Sequence, residues 1–233
     1  MFLLVGEPDD AFLNAVEAAL GSFGRRSIRL PEAQLYATPF ELRLGGSPTG
    51  GLIFPKGAGA VPLDEVAGAM LRIRRAWWPD AGFDLADATF VFHETVAAWI
   101  AVLKALRAPV VNDFGLGWWL GDPSYAEALR LDLARHLGLR AATAAGRTGE
   151  EGWLVAGDLA VGLGARAVED APGPLRSPAF AMWQRRTGIH LARIELDAGE
   201  VIAVHPFPDA PPADMAGRVG EALARRLMEG GDA

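Results

Sequence analysis

Met1-Phe2-Leu3-Leu4-Val5-Gly6-Glu7-Pro8-Asp9-Asp10, with Ala11–Gly24 and Ser27-Ile28-Arg29-Leu30 behind it, carries the first architectural signal. Met1–Val5 is an unbroken apolar run that stops at Gly6, as a buried strand does. Pro8-Asp9-Asp10 then offers a helix N-cap, and Phe12, Leu13, Val16, Ala19 and Leu20 follow at helical spacing. Gly21 and Gly24 end that helix, and Ser27–Leu30 reads as a second short strand. A strand–helix–strand opening of this kind builds a parallel sheet.

Further along, Glu41–Leu44 and Gly51–Phe54 read as a hairpin around Gly45-Gly46-Ser47-Pro48. A helix is expected from Leu63 to Met70, then a strand over Arg72–Trp77 ending at Pro79. Phe83–Ala88 reads as a loop and Phe90–Phe92 as a short strand. His93-Glu94 opens a helix whose Val96, Trp99, Ile100, Leu103 and Leu106 face inward, and Pro109 ends it. Val110-Val111-Asn112 reads as a buried strand with a polar end, and the glycine- and tryptophan-rich Gly115–Gly121 as a loop. Asp122-Pro123-Ser124 caps a helix running to His136, which Gly138 closes. Trp153–Ala156 and Leu159–Leu163 are short strands, and Pro172–Pro178 is a proline-rich loop. Leu191–Leu196 and Val201–Val204 form an antiparallel pair across Asp197–Glu200, and Asp214–Met228 a terminal helix. The expectation is mixed α/β: an N-terminal parallel-sheet layer over residues 1–114 and a smaller α+β region over 115–233.

The chain has 233 residues, of which 51% are hydrophobic and 22% charged, enough to bury a sizeable core. A net charge of −7 argues against a nucleic-acid partner, which requires a basic face to displace counterions from phosphates. No apolar run reads as a membrane span, so no membrane partner is expected and the expected location is cytoplasmic. Without cysteine there is no thiolate nucleophile, disulfide or cysteine zinc site. Of 22 lysines and arginines only Lys56 and Lys104 are lysine.

Among candidate chemical groups, Gly115–Gly121 lacks the strand and helix that a dinucleotide fingerprint requires on either side. His93, His136, His190 and His205 show no metal-protease spacing, and His93 and His136 suit helix-end positions. Arg74 and Arg75 ahead of Trp77 and Trp78 combine guanidinium forks with indoles. That combination suits a carboxylate, or alternatively a solvated strand edge with one apolar side. Glu195 and His205 approach each other if their strands pair, giving an oxygen and a nitrogen ligand for a divalent ion. A charged β-turn is the competing reading.

Taken in order, these segments resemble ATP-grasp proteins, especially the ligases that act on ribosomal peptides of the microviridin type. Ile73–Pro79 is similar to a basic–aromatic strand of the N-terminal layer in that family. Phe90–Glu94, the helix behind it, and Pro109–Asn112 resemble the strand–Glu–helix–strand–Asn succession that ends the layer. Ala126–Thr143 resembles the helix leading to a threonine-containing strand, and Gly188–Leu196 with Glu200–Pro208 the paired strands that bear metal ligands. The resemblance implies substrate contacts at Arg74, Arg75, Trp77, Trp78, Glu94 and Asn112.

The departures point away from catalysis. Family members hold ATP phosphates with lysines, yet no lysine follows Lys104, leaving Arg166, Arg176, Arg185 and Arg186 as substitutes. A guanidinium fork and an ammonium point charge are not equivalent. The family's Glu-x-Asn-Pro metal signature reads Ala203-Val204-His205-Pro206 here, so only Glu195 remains as an acidic candidate beside His205. The stretch between Thr143 and Ile189 is short for the family.

The expectation is therefore a degenerate member without a cofactor, binding a peptide, a small carboxylate or a partner enzyme as an accessory subunit. The alternative is an active ATP-dependent carboxylate–amine ligase, with Arg185 and Arg186 on the phosphates and Glu195 and His205 on magnesium. A homo-oligomeric assembly burying Trp118 and Trp119 is the remaining expectation.

Overall fold

The computed structural model describes residues 1–35, 37–43, 50–57, 59–73, 84–112, 124–142, 151–163 and 171–229. β1 (Phe2–Gly6) runs parallel to β2 (Ser27–Leu30) on one side and to β6 (Gly68–Arg72) on the other. β6 pairs in turn with β7 (Val110–Val111), completing a four-stranded parallel sheet in the order β2-β1-β6-β7. Every residue of β1 and β6 is buried. Covering on both faces is what an apolar run without alternation demands. Phe2 and Leu4 pack with α1 (Ala11–Ser22), while Leu3 and Val5 point to the opposite core with α2 (Leu85–Ala105). β3 (Phe40–Arg43), β4 (Gly50–Ile53) and β5 (Val61–Pro62) form a separate antiparallel sheet, in agreement with the expected hairpin.

A third sheet has the order β10-β9-β11-β12-β8, from β8 (Arg140–Ala141), β9 (Glu151–Ala156), β10 (Leu159–Gly162), β11 (Leu191–Asp197) and β12 (Glu200–His205). β11 and β12 pair antiparallel as expected, and their turn has positive φ at both Ala198 (44°) and Gly199 (80°). That geometry matches the right-handed twist of the strands it joins. Val155, Ala192 and Ile194 share a core with α3 (Ser124–Leu137) and α4 (Pro178–Thr187), through Leu133 and Trp183. Leu154, Ala156 and Leu191 instead join Phe2 and Leu4 of the first sheet, together with α5 (Ala216–Met228). α5 crosses α1 at very short range, since a Cβ on Gly220 would meet the Ala15 carbonyl oxygen at 2.4 Å. The expected boundary at 114/115 lies outside the described residues.

Four local expectations are corrected. The helix expected from Leu63 to Met70 is one 3-10 turn, Leu63–Glu65, followed by strand β6. Pairing of Gly68–Arg72 with β1 outweighs the local helical pattern, because it places five buried residues in the central sheet. Phe90–Phe92 is not a strand and Phe83–Ala88 is not wholly a loop: the Asp84 carboxylate accepts from Asp87 N at 2.9 Å and starts α2 at Leu85. Short apolar runs do not separate strand from helix by periodicity. α2 is also long and apolar enough to cross a membrane, by length and composition. Here Phe92, Val96, Trp99, Val102 and Leu103 are buried, and Trp99 Nε1 donates to the Leu35 carbonyl at 2.8 Å. Finally, Pro178 opens α4, with the Ser177 hydroxyl accepting from Phe180 N at 3.1 Å. Proline at the first helical position gives up no hydrogen bond.

Candidate functional site

Arg74, Arg75, Trp77 and Trp78 lie outside the described residues, as do Gly115–Gly121 and Arg166. Glu94 sits within α2 rather than at its start and is exposed beside His93.

Asn112 is fully buried with φ of 61°, a left-handed conformation that asparagine tolerates better than most residues. Its side chain is committed to backbone. Oδ1 accepts from His190 N at 3.1 Å and Leu191 N at 2.9 Å, while Nδ2 donates to the Leu191 and Pro206 carbonyls, both at 3.1 Å. Asn112 thus joins the end of β7 to the start of β11 and the exit of β12. An amide has two donors and two accepting directions, and all four are used.

Glu195 and His205 come together as the strand pairing implied, with His205 Nε2 3.6 Å from Glu195 Oε1. The register places His205 opposite Arg193 and Ala203 opposite Glu195. Arg193 Nη2 lies 2.8 Å from the same Glu195 oxygen, and Glu195 is only 8% exposed. A carboxylate flanked by a guanidinium and an imidazole does not fit magnesium, which takes an octahedral shell of oxygens. Among the described residues no group of three His, Asp or Glu could hold a metal ion.

Arg185 and Arg186, adjacent in the last turn of α4, part company. Arg186 pairs with Asp132 of α3, which also accepts from Trp183 Nε1 at 2.9 Å. Arg185 lines a cleft with His190 and Arg226. His190 is buried, and Arg226 of α5 donates to its Nε2 from Nε at 3.3 Å. Burial, then the charges of Arg226 and Arg185, pushes the His190 pKa down to about 3. The imidazole is therefore neutral at physiological pH and acts as acceptor. Sequence reasoning missed Arg226, whose only local signal is its place in the last turn of a helix, where any cation is favoured.

No family model matches the chain, and no curated protein does. Solved structures do. The macrocyclase MdnC from Microcystis aeruginosa MRC, bound with precursor peptide MdnA, superposes with a TM-score of 0.69 at 13% identity, covering 97% of this chain and 99% of that one. A Chryseobacterium gregarium RiPP-associated ATP-grasp ligase, in complex with ADP and a leader and core peptide, gives 0.65 at 10% identity over 97% and 96%. The ATP-grasp ligase PsnB, complexed with minimal precursor, Mg and ADP, gives 0.62 at 17% identity over 97% and 98%. The fold is that of the ATP-grasp ligases. Within that class, this chain is similar to those associated with ribosomal peptide modification.

Proposed function

We propose that this chain is a degenerate ATP-grasp-like protein that binds a peptide or small carboxylate, as a non-catalytic accessory subunit in peptide or natural-product modification. The observation that carries the reading is the engagement of Glu195 by the chain's own Arg193 guanidinium, with the His205 imidazole beside it. Phosphoryl transfer is catalysed mainly by positioning and by neutralising charge on the phosphates. A strand pair whose acidic group is already neutralised contributes little to holding a magnesium–nucleotide complex. Peptide as the bound partner is supported by the precursor, leader and core peptides in the structures of MdnC, the C. gregarium ligase and PsnB.

Calorimetry with Mg·ATP and an assay for ADP release with an amine acceptor test the proposal. The expected result is no nucleotide heat that depends on Glu195 and no ADP, alongside measurable binding of a precursor-type peptide. Tight Mg·ATP binding abolished by Glu195→Ala, with ADP release, overturns it in favour of an active carboxylate–amine ligase.

A further inference from the structure

The cleft beside His190 continues into a trench between the C-terminal ends of α2 and α4. Its charged lining consists of Lys104, Arg185, Arg186 and Arg226, and no carboxylate lines it among the described residues. Its floor is apolar, from Leu106, Pro109 and Val110. On the far side of Arg185 the neighbouring cleft adds Arg176. Four cations thus line one trench, with Arg176 beyond it beside Asp158 and Glu229, in a chain whose net charge is −7. Lys104, Arg185, Arg186 and Arg226 each stand in the last turn of a helix. A helix C-terminus carries roughly half a negative charge, so three of them offset less than half of four cations.

The nearest carboxylates are engaged from outside the trench. Glu229 pairs with Arg226 Nη1 at 2.6 Å, and Asp132 pairs with Arg186. Asp158 and Glu229 line the neighbouring cleft and not the trench. Arg185 stands between the two cavities, exposed, without a hydrogen-bond or ion-pair partner among the described residues. Neutral His190 holds Arg226 by accepting from both Nε (3.3 Å) and Nη2 (3.2 Å). Burial first, and then the charges of Arg226 and Arg185, keeps this imidazole neutral beside them.

We infer that this trench is a binding site for a small polyanion presenting carboxylate or phosphate oxygens, with Arg185 as its principal contact. Guanidinium forks match either oxyanion bidentately, and a positively lined concavity concentrates anions. The site is separate from the Glu195–His205 pair. His190 precedes β11 while Glu195 is five residues further on, about 16 Å along an extended strand. The inference does not depend on the absence of ligase activity.

Calorimetry at low salt in buffer stripped of divalent metals by chelating resin, using pyrophosphate and citrate as probes, tests it without magnesium–nucleotide chemistry. Saturable binding of at least one probe is expected, with pyrophosphate alone assigning phosphate chemistry and citrate alone carboxylate chemistry. Arg185→Glu and the uncharged Arg185→Gln should each weaken it about tenfold or more. Arg135→Glu, an exposed control on α3, should change it less than about twofold, with melting curves matched to the wild type. No saturable heat from either probe, or equal losses in the Arg185 and Arg135 variants, overturns the assignment.

Discussion

The guanidinium of Arg72 and the carboxylate of Asp10 meet at 3.0 Å in the interior, with both side chains almost completely buried. Asp10 caps α1 through Oδ1, accepting from Phe12 N and Leu13 N at 3.0 Å each, and accepts from Arg72 Nε through Oδ2 at 3.1 Å. Arg72 also donates to the Pro208 carbonyl at 2.8 Å and lies 4.7 Å over the Phe12 ring. One ion pair therefore ties the end of β6 to the start of α1 and to the link after β12. Removing one partner of such a pair strands a buried charge, at about 3–5 kcal/mol. Asp10→Ala should lower stability by that amount in urea unfolding. Asp10→Asn, which can keep the cap, should lose less. A loss under about 1 kcal/mol for Asp10→Ala would contradict this role.

Gly220 and Gly217 lie one turn apart on α5 and predict opposite outcomes. A Cβ at Gly220 meets the Ala15 backbone at 2.4 Å, whereas nothing lies within 4 Å of one at Gly217. Gly220→Ala should force α5 away from α1 and cost about 1–3 kcal/mol. Gly217→Ala should stabilise the helix by about 0.4–1 kcal/mol. Thermal melts of the two variants decide it: shifts in the same direction would refute the crossing described above.

His190 predicts an acid-sensitive stability. In the unfolded chain a histidine titrates near 6.5, but in the fold this one titrates at about 3. Between those values the unfolded state binds a proton that the folded state refuses, so stability rises with pH. The contribution is full above about pH 6.5 and is lost as the pH falls towards 3, on the order of 3 kcal/mol near pH 4. Urea midpoints between pH 7 and 4 should fall more steeply for the wild type than for His190→Gln. Parallel curves would show that the imidazole does not titrate this way.

The register of β11 and β12 predicts how a cation site could be installed. Ala203 stands directly opposite Glu195, where paired Cβ atoms lie about 4.5–5.5 Å apart. Ala203→Glu combined with His205→Asn would add a second carboxylate and an amide oxygen, a donor set suited to a hard cation. The double variant should bind Mg²⁺ measurably by calorimetry where the wild type binds none. Equal heats from both would mean that the wild-type strand pair is not deficient in ligands.

Where each element forms a contact close in sequence, its signal was readable. Asp10 before Phe12 and Leu13 announced α1, Gly138 with φ of 66° ended α3, and the Ala198-Gly199 turn joined the strand pair at Glu195 and His205. The Ser177-Pro178 start of α4 was equally local but lay hidden within a proline-rich run. Strand β6 was not legible from a short window, because pairing with β1 selects it, and the early start of α2 at the Asp84 cap was masked by the short apolar run at Phe90–Phe92.

By itself the sequence determined the parallel opening, the hairpin carrying Glu195, the lack of lysine beyond Lys104 and the altered Ala203-Val204-His205 run, since these depend on residue type and near-neighbour spacing. Only the tertiary structure decided that Asn112 spends its amide on two distant backbone segments and that Arg193 neutralises Glu195. It alone decided, too, that both Arg185 and Arg186 line a trench but only Arg186 pairs with Asp132. Adjacent residues on a helix point about 100° apart. Which of them meets a partner depends on elements dozens of residues away, and no local pattern encodes that distance.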